Sequence, residues 1–419
     1  MAQRRVKQTP AALGYRLPAE WEPHVATWIG WPHNLSDWPG KFAPIPWVYA
    51  EIVRRIAPGE TVRILVNSKA HEEQARRILQ RVGVELLRLE FFRFPTNRGW
   101  TRDFGPIFVK RNGNHPLTPP YEGGEFNHPR TPSDQGGERN HRRTATYKDA
   151  ESEVAIVDFA FNGWAKYPNW QKDNKVPALA ARALGCRRFV AQAPLPVLDG
   201  TSQRPRAQAR VPVPFVLEGG SIDGNGCGTL LSTEECLLDQ EVQVRNPGFT
   251  PEETEEALRA HLGVKNVLWL GKGIAGDDTH GHVDDLCRFV DSRTVVLCRE
   301  SNPSDANYRP LEENRERLQG MRLEDGSRLQ VAPLPMPAPV FFDGQRLPAS
   351  YANFFISNAA VLVPTFNDPK DRIALGTLAE LFRDRAVIGV HAVDLVWGLG
   401  TLHCLTREQP VAGKAESRN

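Results

Sequence analysis

Short apolar runs alternate with amphipathic stretches along most of the chain. Residues 61–67 (TVRILVN) have the β-branched, alternating pattern of a strand, and residues 69–83 place apolar side chains at helical spacing. Residues 84–92 predict the next strand. The rhythm returns at 175–185, where a helical pattern stops at a glycine, and at 250–263, where Thr and Pro precede acidic residues as at a helix start. We count about five strand–helix–strand modules, which predict an α/β fold.

No change of composition divides these modules. We therefore predict a single domain at residues 17–410, preceded by an N-terminal extension at 1–16 and followed by a tail at 411–419. Two stretches interrupt the pattern: residues 115–150 are rich in Pro, Gly, Asn and Arg, and residues 199–212 are rich in Arg, Gln and Pro. We interpret both as surface inserts, because neither has the apolar side chains of a packed core.

The charge balance narrows the range of partners. Lys and Arg number 52, Asp and Glu number 50, and the formal net charge is +2. Nucleic acid or an anionic membrane would need a large basic surplus, so neither is expected as a partner. No apolar run reaches the roughly 18 residues of a membrane span, and the first residues lack the apolar segment of a secretory signal. The six cysteines form no Cys-x-x-Cys pair, so we expect a reduced, cytoplasmic setting.

Four polar segments stand at predicted strand ends or in glycine loops, where α/β proteins tend to hold their sites. They contain a thiol (Cys404), an imidazole (His282) and three carboxylates (Asp103, Glu218 and Asp284). A cysteine with a distant histidine is the minimum for thiolate catalysis. Several carboxylates beside a neutral substrate would repel one another, whereas a planar guanidinium would be held by paired hydrogen bonds. The residues therefore favour attack of a thiolate on a guanidinium carbon.

Ordinary structural roles stay open for each of these residues. Cys404 is equally consistent with an inert buried thiol. His282 and Asp284 are also typical of a capped turn, and glycines 219–220 of a tight turn. Trp100 is more often a core residue than a platform for a substrate.

A metal centre is a further alternative. His280, His282 and Asp284 offer ligands on alternate residues, although this suits only one geometry and His280 is also typical of a turn. Three other histidines would be available to complete the coordination: His24, His33 and His403.

Taken in order, the motifs resemble those of the agmatine deiminase family, a branch of the guanidino-modifying superfamily that includes bacterial-type peptidylarginine deiminases. The resemblance spans residues 17–410 apart from the two inserts. It is carried by LPAEWEPH at 17–24, TWIGWP at 27–32, WTRDFGP at 100–106, FNGWAKY at 161–167, EGGSI at 218–222, TLLSTEECLL at 229–238, GHVD at 281–284 and HCLT at 403–406.

The resemblance implies a single-domain, five-bladed α/β propeller of ββαβ-like modules around a central site. It implies a small-molecule guanidine as partner, with no metal and no organic cofactor, and it leaves a homo-oligomer open. The site residues it implies are Cys404 as nucleophile, His282 as general acid and base, Asp103 and Asp284 as carboxylates that hold the guanidinium, Glu218 beside the histidine or the substrate nitrogens, and Trp100 and Gly219 against the substrate.

The implied reaction is hydrolysis of agmatine to N-carbamoylputrescine and ammonia through an amidino-cysteine intermediate, a step of putrescine and polyamine synthesis. Deimination of free or peptidyl arginine, amidino transfer by the same Cys/His core and a non-catalytic binding role stay as alternatives. Departures from the family pattern at Phe104, Asp285, 96–99 and 398–402 affect the rim of the site rather than its reaction core. On that rim Arg98 would suit a substrate carboxylate. Four arginines of the first insert could also reach one: Arg130, Arg139, Arg142 and Arg143. A charged loop is more often simply solvated, however, which favours agmatine.

Overall fold

The computed structural model describes residues 9–111, 153–193 and 213–412. Both predicted inserts lie outside these ranges, as do most of the predicted N-terminal extension and of the C-terminal tail. All statements about the structure therefore concern the three described ranges.

In these ranges the chain forms eighteen strands, nine α-helices and seven short 3₁₀ turns. The strands, in chain order, are β1 His24–Gly30, β2 Thr61–Leu65, β3 Leu89–Phe92, β4 Ile107–Arg111, β5 Glu153–Asp158, β6 Arg187–Val190, β7 Asp223–Gly224, β8 Thr229–Thr233, β9 Asn266–Leu270, β10 Cys287–Phe289, β11 Thr294–Arg299, β12 Gln330–Pro335, β13 Phe341–Phe342, β14 Gln345–Arg346, β15 Phe355–Ile356, β16 Ala360–Thr365, β17 Ala386–His391 and β18 Thr406–Pro410. The helices are α1 Ile45–Ile56, α2 Lys69–Arg81, α3 Thr101–Phe104, α4 Val176–Leu184, α5 Glu234–Leu237, α6 Pro251–Leu262, α7 Tyr308–Gly320, α8 Asp371–Leu381 and α9 Leu402–Leu405. The 3₁₀ turns are Ala11–Leu13, Leu35–Asp37, Leu86–Arg88, Asp173–Lys175, Gly219–Ser221, Val283–Asp285 and Leu395–Gly398.

The strands form five sheets of three or four strands and one two-stranded hairpin, β13–β14. The sheet orders are β18-β1-β2-β3, β4-β5-β6, β7-β8-β9, β10-β11-β12 and β15-β16-β17. In every sheet the first pair of strands is antiparallel and the next pair is parallel. A parallel pair needs a crossover connection, and a helix supplies it in each case. The predicted α/β fold is confirmed.

The predicted helices form because their apolar positions face the sheets. Helix α1 buries Tyr49, Ile52, Val53 and Ile56, which recur at intervals of three and four residues. Other local predictions needed correction: the strand predicted at 84–92 begins only at Leu89, because the residues before it form a 3₁₀ turn.

Helix α6 begins and ends where the sequence predicts. Thr250 and Glu253 form a reciprocal capping box, with Pro251 in the first turn. The helix ends at Gly263, whose φ of 68° lies in the left-handed region that glycine adopts at little cost.

The last strand returns to the first. Strand β18 pairs antiparallel with β1, in a register that sets Trp28 opposite Arg407 and Ile29 opposite Thr406. Cys404 therefore lies two residues before the strand that closes the N-terminal sheet. None of the described helices is long and apolar enough to cross a membrane.

Candidate active site

The candidate residues lie on the short segments that lead into the first strand of each sheet. Because every sheet has the same strand order, these five segments are equivalent positions of the repeated module. They carry Asp103 before β4, Glu218 and Gly220 before β7, His282 and Asp284 before β10, Asn353 before β15 and Cys404 before β18.

The Cys404 thiol is buried and has two polar neighbours. The Asn353 amide donates to Sγ at 3.1 Å, and Asp284 Oδ2 lies 3.8 Å from Sγ. Burial raises the pKa of the thiol well above its ordinary value, and the charges of Asp284, Asp285 and Asp103 raise it further. The Cys404 thiol is therefore protonated at neutral pH.

The His282 imidazole lies among three carboxylates. Its Nδ1 is 3.8 Å from Asp103 Oδ1 and 3.9 Å from Asp284 Oδ1, and its Nε2 is 4.0 Å from Glu218 Oε2. Neither nitrogen has a hydrogen-bond partner among the described residues. Burial lowers the pKa of the ring, but Asp103, the Cys236 thiol and Asp284 outweigh this effect and raise the pKa well above its ordinary value. The ring is thus an imidazolium that can give up a proton.

Asp103 and Asp284 are held by different donors. Asp103 accepts from the Gly220 amide at 3.0 Å and from Trp164 Nε1 at 2.9 Å, and burial raises its pKa to about 6. Asp284 Oδ2 lies 2.7 Å from His403 Nδ1, while its Oδ1 has no partner among the described residues. Burial raises the pKa of Asp284, but the hydrogen bond and charge of His403 outweigh it and hold the pKa below its ordinary value.

Glu218 is held by a buried arginine. Arg245 Nε lies 3.2 and 3.4 Å from the two Glu218 oxygens, and both side chains are fully buried. The Arg245 guanidinium also donates to the Gln243 carbonyl at 2.9 Å. Glu218 therefore faces His282 as an oriented carboxylate, which is one of the two positions that the resemblance implies.

A cavity of about 70 Å³ joins several of these groups. Trp100 forms part of its wall, with its ring centroid 5.2 Å from that of Trp38. The cavity is lined by Ser36, Asp37, Arg98, Trp100, Asp103, Trp164, Tyr167, Asp278, Thr279, Gly398, Leu399 and Cys404. One thiol, three carboxylates and three aromatic rings thus line a space suited to a small planar cation.

The two glycines of the Glu-Gly-Gly motif face opposite ways. A Cβ on Gly219 would lie 2.1 Å from the Arg102 carbonyl oxygen, outside the site. A Cβ on Gly220 would lie 2.6 Å from His282 Nδ1, 2.9 Å from Asp103 Oδ1 and 3.0 Å from Asp284 Oδ2. Gly220, and not the predicted Gly219, therefore keeps open the space between the polar groups.

Of the residues of the alternative metal centre, His282, Asp284 and His403 lie together, whereas His280, His24 and His33 have other partners. His280 has a positive φ of 62°, and its Nε2 lies 2.7 Å from Asp239 Oδ2. The rings of His24 and His33 contact other partners. In the described ranges, the groups with three possible ligand atoms within 4.8 Å are Glu218, Cys236 and His282, and Asp284, Asp285 and Cys404. Neither contains His280.

The sequence pattern did not predict the roles of three residues of the site. Asn353 stands in SYANFF, where no motif marks it, and only the equivalence of the five modules would have pointed to it. Trp164 lies in a segment that carries the resemblance, but nothing there showed that its indole N–H would reach Asp103. Arg245 lies in a loop without a recognisable pattern.

The family model of Porphyromonas-type peptidyl-arginine deiminases matches residues 16–410, and the chain belongs to this family. The family resemblance expected from the motifs is confirmed. The agmatine deiminase of Ectopseudomonas mendocina (strain ymp) is 31% identical over 425 residues, which cover 96% of this chain and 97% of that protein.

Solved structures show the same relationship. An agmatine deiminase of Enterococcus faecalis has a TM-score of 0.76 at 27% identity, over 98% of this chain and 99% of the other. A C. jejuni agmatine deiminase variant with substrate bound has a TM-score of 0.72 at 25% identity, over 96% of this chain and 97% of the other.

The position of Gly220 determines how a larger residue there would affect ligand binding. The Gly220→Ala substitution should weaken the binding of methylguanidine, measured by titration calorimetry, by about tenfold or more, because the added methyl group occupies space between three polar side chains. Gly376→Ala is the matched control: it lies inside helix α8, and its Cβ would meet nothing within 4 Å. The control should bind normally and gain roughly 0.5–1 kcal/mol of stability. Equal affinity of both variants for methylguanidine would contradict the assignment of this cavity as the guanidine-binding site.

Proposed function

We propose that this protein hydrolyses agmatine to N-carbamoylputrescine and ammonia, with Cys404 as nucleophile. The observation that carries the proposal is that the Cys404 thiol and Asp103 line one small cavity, while the His282 imidazolium lies 3.8 Å from Asp103 and Asp284 lies 3.8 Å from the thiol. Similarity to agmatine deiminases along almost the whole chain supports it.

The carboxylates favour the binding of a cation in this site. Asp284 Oδ1 is buried without a hydrogen-bond donor among the described residues, and a buried unpaired charge is unfavourable. A guanidinium would supply both charge and N–H donors to Asp284 and Asp103. These two residues therefore hold the substrate's planar head, and Trp100 packs beside it.

Chemistry begins when the bound cation favours the thiolate. The positive charge of the guanidinium opposes the carboxylates that raise the pKa of Cys404, so the thiol proton passes to bulk water and Sγ attacks the guanidinium carbon. The C–S bond forms, and the C–N bond to one terminal nitrogen breaks. His282 gives its proton to that nitrogen, which departs as ammonia and leaves an amidino-cysteine.

Hydrolysis of the amidino-cysteine uses the same residues in reverse. His282, now neutral, removes a proton from water, and the hydroxide adds to the amidino carbon. Collapse of this adduct breaks the C–S bond, and the departing sulfur takes up the hydroxyl proton, which regenerates the thiol and releases the neutral ureido product. Glu218, which Arg245 holds in place, stabilises the positive charge of His282 each time the ring is protonated.

The rim supports agmatine over arginine. Arg98, the rim cation expected to take a carboxylate, pairs with Asp37, and its guanidinium carbon lies 4.2 Å from the Tyr167 ring centroid. A substrate carboxylate would have to displace Asp37. Agmatine carries no carboxylate and avoids that competition. The family name makes peptidyl arginine the second candidate, but a cavity of about 70 Å³ suits a thin substrate better than a peptide.

We also propose that the five sheets are the blades of an α/β propeller. The shared strand order and the delivery of one or two site residues by each module support this arrangement. The catalytic domain would then span residues 17–410, and the enzyme would act in the cytoplasm without a metal.

The nucleophile can be tested directly. Cys404→Ala should abolish release of ammonia from agmatine, because no covalent intermediate can form. Cys227→Ala is the control, since Cys227 is exposed and lines no part of the cavity, and it should retain wild-type kcat. Substantial ureido formation by Cys404→Ala, measured on the purified variant, would reject the covalent route.

The pKa of Asp103 predicts an acidic limb in the rate profile. Asp103 must be ionised to hold the guanidinium, and its pKa of about 6 follows from burial and from Asp284 and Glu218, opposed by His282 and the Trp164 N–H. Because kcat/KM reports the free enzyme, in which the Cys404 thiol is protonated, kcat/KM for agmatine should rise about tenfold per pH unit above that value and about a hundredfold per unit below it. In Asp103→Asn this steeper acidic limb should disappear, and kcat/KM at neutral pH should be lower by about 10²-fold. An unchanged limb in this variant would assign it to another group.

The preference for agmatine that the rim residues support can be tested by comparing substrates. kcat/KM for agmatine should exceed that for free arginine and for a blocked arginine peptide by about tenfold or more, a difference of about 1.4 kcal/mol. Transfer of the amidino group to an added amine would identify an amidinotransferase instead. A tenfold advantage for arginine, at about 1.4 kcal/mol, would reject the agmatine assignment.

A further inference from the structure

His403, the residue before the proposed nucleophile, is buried between two carboxylates. Its Nδ1 lies 2.7 Å from Asp284 Oδ2, and its Nε2 lies 2.7 Å from Glu20 Oε2. The two contacts lie on opposite sides of the ring, one toward the site and one away from it. The proposed reaction gives this ring no role.

The contacts define the charge of the ring. Burial raises the pKa of both carboxyl groups, but Arg288, His403 and Arg102 hold the pKa of Glu20 well below its ordinary value, and His403 lowers that of Asp284. An ionised carboxylate only accepts hydrogen bonds, and a neutral imidazole has one N–H. Both contacts are therefore made only when His403 is an imidazolium.

His403 decides which Asp284 oxygen is free. Oδ2 is engaged by His403, whereas Oδ1 has no partner among the described residues and lies 3.9 Å from His282 Nδ1. Without His403 the carboxylate could rotate about its terminal bond and exchange the two oxygens. Glu20 prevents the imidazole itself from turning, since it accepts from Nε2.

We propose that His403 is a positioning residue for guanidine hydrolysis, which holds Asp284 through Nδ1 while Glu20 fixes the ring through Nε2. The free oxygen of Asp284 then meets the guanidinium in one orientation. The proposal rests on the proposed function, and it acts through Asp284 without contact between His403 and the substrate.

Two substitutions separate the two contacts. The amide nitrogen of Asn reaches the position of imidazole Nδ1, and that of Gln reaches the position of Nε2, so each keeps one donor. His403→Gln should lower kcat for agmatine by about 10²-fold, the effect of misalignment at a reacting centre. His403→Asn, which still donates to Asp284, should retain a kcat at least about ten times that of the Gln variant.

His24 supplies the matched control. It is equally buried, with Nδ1 3.2 Å from Glu60 Oε1 and Nε2 2.6 Å from the Glu20 carbonyl oxygen, and it lies outside the cavity. Its Asn and Gln variants should have the same kcat as each other. Equal kcat in the two His403 variants, or a higher kcat in the Gln variant, would overturn the proposal.

Thermal melts of all variants separate positioning from folding. If His403→Gln does not fold, His403→Asn decides alone: a folded variant within about tenfold of wild-type kcat supports positioning, and a larger loss overturns it. Failure of both variants to fold would make His403 a folding residue and would also overturn the proposal. Wild-type protein that releases no ammonia from any guanidine would instead reject the proposed function.

Discussion

The structure depends on one buried carboxylate, that of Glu20. Its oxygens accept hydrogen bonds from Arg102, Arg288 and His403 and from the Ile356 amide. These four partners belong to, or lead into, four different sheets. Removing one partner from a buried ion pair costs about 3–5 kcal/mol, because the remaining charge is left without compensation. The sheets therefore cannot shift relative to one another without exposing a charge to an apolar interior, and their relative placement is fixed.

The hydrogen bonds to Glu20 also position the residues of the site. Arg102 precedes Asp103, and His403 precedes Cys404, each pair on a helix of four residues. Successive side chains on a helix point about 100° apart. One residue of each pair therefore reaches Glu20 while the next faces the cavity. The ion pairs that hold the sheets together thus also position Asp103 and Cys404 toward the cavity.

The sequence predicts what local pattern controls. Apolar spacing and capping residues located the main helices, and the motifs located the thiol, the imidazole and the carboxylates, all of which the structure brings together. Asn353 was missed because its role arises from residues more than 50 positions away. The orientation of Gly219 and Gly220 was also beyond local pattern, since only the packing of Arg102 and His282 decides which glycine faces the cavity. The placement of His280 was also beyond local pattern: it lies in a turn and pairs with Asp239 rather than with His282 and Asp284.

The pairing of the first strand with the last has a consequence for how the enzyme comes into being. Trp28 and Gln409 are joined by a side-chain hydrogen bond across 381 positions of sequence, and contacts this remote form slowly because the intervening chain must already be ordered. Cys404 lies two residues before β18, the strand that pairs with β1. A nascent chain that has not yet reached Cys404 can thus build the other sheets and the carboxylates they carry while it lacks the proposed nucleophile. A product terminated before Cys404 would then be inert.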